Sequence, residues 1–249
     1  MRHLIRTRPN RLISGATAAA GLALVLSACS GGSNEPEQPA EQNDGAEQAA
    51  EETSPPANNA LKQLSEDEIA DVLNGVTHDG KSFETIDGEP PEMQSIIENF
   101  KQSDIEPAAC KDVLVELMTK PSVDAPNKSA LSEDYGYTAA MASYETNDDA
   151  TLALQDIIDT NSTCENMKMT VGGQTIELEM SVDFVDVPGA DQAVETVTST
   201  PAIADEKQHT VSAVVKNGLV TGAAMNGSST ETSVGVVTDL VKTYDEAIK

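Results

Sequence analysis

The chain is poor in aromatic residues and has no tryptophan, so its core must be built from aliphatic side chains. It has three cysteines, and no arginine follows Arg11. Beyond residue 28 there are 11 lysines and 42 acidic residues, a formal net charge of −31. Proteins usually recognise phosphate with arginine, and a strongly acidic protein repels polyanions. The sequence therefore excludes nucleic acid as a partner, and it excludes a basic patch that would bind an anionic membrane.

The N-terminal segment has the order of a lipoprotein signal. Four arginines precede an uncharged apolar run at 12–25, and Leu26-Ser27-Ala28-Cys29 follows. This order predicts a signal peptide over residues 1–28 that is cleaved before Cys29. A diacylglycerol on the Cys29 thiol, with acyl chains such as palmitate, would hold the protein on the outer face of the cell membrane. The alternative is an uncleaved anchor helix, but the run is shorter than the roughly 20 residues that span a bilayer.

The rest of the chain divides into two parts. Residues 29–60 are rich in Gly, Ser, Pro, Glu, Gln and Asn, with seven acids and no base, which predicts a disordered acidic tether. Residues 61–249 are long enough for one domain with a sizeable core. Helical stripes and alternating strands predict an α+β fold: a twisted antiparallel sheet of about four to six strands with helices packed on one face. Ala190–Val197 is assigned to a short helix.

Two cysteines remain after the lipidation site, Cys110 and Cys164. Because an exported protein folds in an oxidising environment, we expect them to form a disulfide. The alternative is a catalytic thiol paired with His78 or His209, but no local motif supports it. Both histidines lie in polar stretches of sequence, which predicts that they are on the surface.

No motif indicates an enzyme. A G-x-S-x-G elbow, an S-x-x-K pair, a phosphate loop after a strand and a zinc-ligand spacing are all absent from the sequence. We therefore expect no catalytic residue, no cofactor and no metal. Glu177, Glu179 and Asp183 share one face of a predicted strand. They could hold a cation, but the apolar opposite face explains them as outward-facing positions.

Several segments resemble the PknH-like extracellular sensor domain family of actinobacterial lipoproteins and receptor kinases. The matching features are the helix from Leu64 to Gly75, the sequence Pro107-Ala108-Ala109-Cys110 at a helix start, a helix that ends at Cys164, and a hairpin at Asn217-Gly218 before a C-terminal helix. The resemblance implies a twisted antiparallel sheet with a ligand-binding cleft. The family's tryptophans and second disulfide are missing here, so no ligand-binding residue is carried over.

Together these features predict a membrane-anchored, extracytoplasmic lipoprotein with a non-catalytic, sensor-like domain. Its partners would be the membrane, through the lipid on Cys29, and either a small ligand or an envelope protein. Two alternatives remain open. One is an envelope protein–protein interaction module without a pocket, and the other is a lipid carrier between membrane and cell wall.

Overall fold

The structure is a computed structural model that describes residues 61–86, 98, 100–119, 124–171, 173–201, 207–225 and 229–249. Within these ranges, four helices have full bounds: α1 Glu66–Gly75, α2 Ala108–Thr119, α3 Asn147–Thr163 and α4 Thr230–Ala247. The strands are β1 Thr77–His78, β2 Lys81–Thr85, β3 Asp104–Glu106, β4 Asn127–Ser132, β5 Tyr137–Ser143, β6 Asn166–Val171, β7 Gln174–Phe184, β8 Gln192–Ser199, β9 Lys207–Val215 and β10 Gly218–Ala224. The predicted signal peptide, Cys29 and the tether lie outside the described residues.

The strands form one antiparallel sheet in the order β1-β2-β4-β5-β10-β9-β8-β7-β6-β3. This confirms the α+β class and the antiparallel sheet. The ten strands exceed the four to six that were predicted, partly because β1 and β3 are too short to show an alternating pattern. The predicted helix at 190–197 is wrong: β8 pairs with β7 and β9 along its length, and these two ladders stabilise a strand.

Side-chain caps define the starts of three helices. Ser65 and Glu68 form a capping box at the start of α1. The Thr146 side chain accepts from the Asp149 amide at α3, and the Ser229 side chain accepts from the Thr232 amide at α4. Each cap satisfies a backbone N–H that has no partner within its own helix.

Helices cover both faces of the sheet, so the prediction of helices on one face is wrong. We call the two sides the α4 face and the α3 face. Helices α1 and α4 pack on the α4 face, where Val211 and Val220 meet Val236 and Leu240. Helix α3 packs on the other face against Val194 and Val214, with α2 beside it. The reason lies in β9, where five successive residues, Val211–Val215, are buried and thus point alternately into two cores.

The disulfide predicted between Cys110 and Cys164 is present in the structure, with 4.9 Å between the Cα atoms. It joins α2 to the C-cap of α3. Around it lies a second core on the α3 face that includes Leu114, Met167 and Leu178. The bond therefore holds two helices together over the β3-β6-β7 end of the sheet.

No helix in the described part of the chain is long and apolar enough to cross a membrane.

Candidate functional site

The central strands carry a patch of hydroxyl side chains on the α3 face. We call it the hydroxyl face. It comprises Ser129, Thr138, Thr196, Thr198, Thr210, Ser212 and Thr221. These residues come from β4, β5, β8, β9 and β10, which are neighbours in the sheet although they are not all consecutive in sequence.

Strand register brings these hydroxyls together. Thr196 lies directly opposite Thr210, and Ser212 lies opposite Thr221. The Ser212 Oγ and Thr221 Oγ1 atoms are 2.9 Å apart and share a hydrogen bond. Thr138 and Thr210 both lie opposite Ala223, on either side of it. Because directly opposed residues point to the same side, the patch is continuous across five strands.

The hydroxyl face contains no charged side chain, although the chain as a whole is strongly acidic. The residues between the hydroxyls are also uncharged, among them Ala140, Ala223 and Gln208. Thr196 and Ser212 are 8% and 4% exposed, and the other five hydroxyl residues are half-buried.

The small side chains of the hydroxyl face place its hydroxyl groups close to the backbone of the sheet. Each serine or threonine hydroxyl can both donate and accept a hydrogen bond. The patch can therefore bind an uncharged polar group, but it offers neither a general base nor a charge that would hold an ion. In the part of the chain that the structure describes, no group of three or more His, Cys, Asp or Glu side chains is placed to hold a metal.

Asn161 on α3 is a second polar feature of the α3 face. It is 2% exposed, and its Nδ2 donates to the Ile157 carbonyl at 2.8 Å. Its Oδ1 has no hydrogen-bond partner among the described residues. A buried acceptor without a donor is uncommon in folded proteins and lowers stability.

The structure corrects the expectation that both histidines lie on the surface. The His78 side chain is 10% exposed, and its Nδ1 lies 2.7 Å from Asp239 Oδ2. The His209 side chain is 17% exposed, and its Nδ1 lies 2.8 Å from Glu195 Oε1. In both cases the carboxylate comes from another element of the fold, so the residues next to each histidine in the sequence do not indicate the pairing.

The acidic residues of β7 lie on the α4 face, away from the hydroxyl face. Glu177, Glu179 and Asp183 are all exposed, as expected for outward positions of this strand. Glu177 pairs with Lys168 on β6, with 2.6 Å between Oε1 and Nζ. The three carboxylates are therefore part of a solvated surface.

Sequence reasoning missed the hydroxyl face. A signal was present, because Thr196 alternates with Thr198 and Thr210 alternates with Ser212 along their strands. Alternation shows that each pair shares one side of its own strand. It does not show that the two strands are neighbours in register, which only the sheet reveals.

No protein-family model matches the chain, and no curated protein matches it. Among solved structures it is similar to the extracellular domain of PknH from Mycobacterium tuberculosis, with 12% identity and a TM-score of 0.48 over 75% of this chain and 99% of that one. It is also similar to an uncharacterized protein from Mycobacterium smegmatis, with 13% identity and a TM-score of 0.36 over 70% of this chain and 97% of that one. The first of these structures is an extracellular domain of the PknH-like family that the sequence resembles.

Proposed function

We propose that this chain is an extracytoplasmic lipoprotein, anchored through Cys29, whose domain binds an uncharged polar ligand on the hydroxyl face without catalysis. The observation that carries the proposal is the hydroxyl face itself, a neutral hydrogen-bonding surface in a protein with a formal net charge of −31 after the predicted signal. The surrounding charge repels anions, and the patch has no carboxylate to attract cations. The ligand class that remains is neutral and rich in hydroxyl or amide groups.

Two features support an extracytoplasmic location. The predicted lipoprotein signal covers residues 1–28 and ends just before Cys29. The two later cysteines form a disulfide, which is typical of proteins that fold outside the reducing cytosol. Changing Cys29 to alanine should leave the protein without acyl chains and release it from the membrane fraction. Intact-mass measurement of the purified protein reads out the acylation directly.

The ligand site can be tested with a matched pair of double variants. Thr196→Val with Thr210→Val removes two opposed hydroxyls from the hydroxyl face and keeps the side-chain shape. Thr170→Val with Thr175→Val removes an opposed pair from the α4 face, where the two hydroxyls are 3.0 Å apart. Native mass spectrometry of each full chain, purified from its own envelope, should show a retained neutral ligand that only the first double variant loses.

Each other result of that experiment contradicts the proposal. If the wild-type protein retains a long-chain lipid, the domain is a lipid carrier. If it retains another protein and no small molecule, the domain is an interaction module. If both double variants keep the ligand equally, the hydroxyl face is not the binding site. Turnover of a substrate that one point mutation abolishes would show that the domain is an enzyme.

A further inference from the structure

The Asn161 side chain on α3 is buried and has one polar atom without a partner. Its Nδ2 is occupied, because it donates to the Ile157 carbonyl at 2.8 Å. No atom of the described residues donates to its Oδ1, although the residue is only 2% exposed. A buried acceptor lowers stability when no donor meets it. A donor from outside the chain, either a ligand or a water, would satisfy this oxygen.

The helical period places Asn161 on the side of α3 that faces the sheet. Ala150 and Leu154 lie on that side, in the buried cluster that includes Val194 of β8 and Val214 of β9. Asn161 follows Leu154 by about two helical turns and Ala150 by about three. Its side chain therefore leaves the helix in the same direction as theirs.

The two ends of α3 show which part of the sheet the helix crosses. At its start, Asn147 Nδ2 donates to the Lys216 carbonyl, just after the end of β9. Just past the end of the helix, the Glu165 carbonyl accepts from the Met180 amide of β7 at 2.8 Å. Met180 lies directly opposite Thr198 of β8. The helix thus runs from the β9–β10 turn toward Thr198.

Thr196 is the hydroxyl residue that this path brings under Asn161. Val194, Thr196 and Thr198 are alternate residues of β8, so they share the α3 face. Leu154 belongs to the cluster around Val194, and the end of the helix reaches Thr198. Asn161 lies between these two points along the helix, so its side chain is directed at Thr196. The unpaired oxygen is therefore aimed at the buried part of the hydroxyl face.

An amide oxygen is more selective than a hydroxyl group. The hydroxyls of Thr196 and Ser212 can each donate or accept, so they suit ligand groups of either kind. Asn161 Oδ1 can only accept, so a ligand atom beside it has to carry a hydrogen. An ether or ester oxygen at that point would leave two buried acceptors facing each other without a hydrogen bond, which lowers affinity.

We propose that Asn161 is a specificity-determining residue of the ligand site. Its Oδ1 accepts a hydrogen bond from an alcohol O–H or an amide N–H of a neutral ligand on the hydroxyl face. The ligand group that donates this bond is enclosed between α3 and the sheet. The site thereby rejects molecules that offer only ether or ester oxygens at this point. The inference rests on the proposed function, because it specifies which chemical group of the ligand meets the buried part of the hydroxyl face.

The test uses Asn161→Leu, which removes the unpaired oxygen and keeps a side chain of similar size. The full chain is purified in detergent from its own envelope, and native mass spectrometry measures the small molecule that co-purifies with it. We expect the retained amount to fall about tenfold relative to wild type, the effect of one lost hydrogen bond to a buried group.

The stability of the emptied protein should change in the opposite direction. Each protein is unfolded in urea without reductant, separated from small molecules and refolded with its disulfide intact. We expect the folding equilibrium constant of Asn161→Leu to be about tenfold above that of wild type, because the buried unpaired acceptor is gone. Weaker retention combined with higher stability is a result that damage to the fold does not produce.

Asn166→Leu is the matched control, because it makes the same substitution at an exposed residue of β6. Asn166 lies opposite Glu179, on the α4 face, so its replacement should change neither retention nor stability relative to wild type. If Asn161→Leu does not fold, Asn161→Ala replaces it in the retention measurement. Alanine also removes the oxygen, and it is the most favourable residue in a helix.

The results that would overturn the inference differ from those that would overturn the proposed function. If Asn161→Leu retains the small molecule as wild type does, while Thr196→Val with Thr210→Val loses it, Asn161 holds a water only and the hydroxyl face is still the binding site. If Asn161→Leu loses both the molecule and stability, Asn161 has a structural role instead. If wild type retains no small molecule, or the double variant keeps it, the proposed function and this inference both fail.

Discussion

Loss of the Asn217 side chain, at the turn between β9 and β10, should destabilise the domain strongly. It is fully buried, with 0% exposure. Its Nδ2 donates to the Tyr144 carbonyl at 2.6 Å and to the Lys62 carbonyl at 3.2 Å, and its Oδ1 accepts from Tyr244 Oη at 3.2 Å. One side chain thus joins the beginning of the described chain, the end of β5 and the last helix.

Replacing Asn217 with alanine removes three hydrogen bonds and leaves buried carbonyl groups with fewer donors. At about 1 kcal/mol for each bond, the free energy of unfolding should fall by about 3 kcal/mol. For a domain of this size, that corresponds to a decrease in Tm of about 6–12 °C. Chemical denaturation of the full chain measures the change. The control is Asn166→Ala, an exposed asparagine on β6, which should change the free energy of unfolding by no more than about 0.5 kcal/mol.

The isosteric change Asn217→Asp tests the direction of these bonds. It keeps an acceptor for Tyr244, whose pKa burial raises to about 12, so the phenol remains a donor. It also places an ionised carboxylate against two carbonyl oxygens. Burial raises the pKa of the introduced carboxyl. The stability that Asn217→Asp loses relative to wild type should therefore be smallest in acid, and it should increase as the pH rises. If Asn217→Ala stays within about 1 kcal/mol of wild type, or if Asn217→Asp loses no more at neutral pH than in acid, this account of the network is refuted.

Three further predictions concern packing, the disulfide and a helix cap. Gly222→Ala would place a Cβ 2.7 Å from a side-chain carbon of α4, so thermal unfolding should show a loss of about 1–3 kcal/mol, whereas an unchanged Tm would contradict the close approach. Replacing Cys110 and Cys164 with serine opens a loop with a sequence separation of 54, and denaturation should show a loss of about 4 kcal/mol in the chain-entropy model. Hydrogen bonds from Lys62 and Ser65 lower the pKa of Glu68 to about 2 from its usual 4.5, so its support for α1 should be lost as the pH falls between those values. In a circular-dichroism titration with acid, Glu68→Gln should lack the part of the transition that comes from Glu68. A variant with the same acid transition as wild type would contradict this role of Glu68.

The sequence predicted the long elements well because each has a local cause. The sequence predicted a hairpin at Asn217-Gly218, and β9 and β10 form it in the structure. Ser65 and Glu68 indicate the start of α1 within four residues of sequence. These signals are local, since they depend on neighbours along the chain and on the period of each element.

The errors arose where contacts between different helices and strands decide the outcome. The segment at 190–197 has helical spacing, yet pairing with β7 and β9 makes it a strand. His78 and His209 lie in polar stretches, yet each is largely buried and pairs with a carboxylate from another element. The sequence analysis predicted helices on one face of the sheet, but helices cover both faces. The alternation along a single strand does not show which faces of the finished sheet the helices will cover.

By itself, the sequence determined the acidic charge, the α+β class and the pairing of the two later cysteines, and it predicted an export signal with a lipid-attachment cysteine. The charge follows from composition, and the α+β class and the export signal follow from patterns within a few residues. The disulfide follows from the oxidising environment in which an exported protein folds. Only the tertiary structure decided that hydroxyls from five strands form one neutral surface, and that each histidine pairs with a carboxylate from another element. Both arrangements depend on strand order and helix placement, which arise from contacts between residues far apart in the chain.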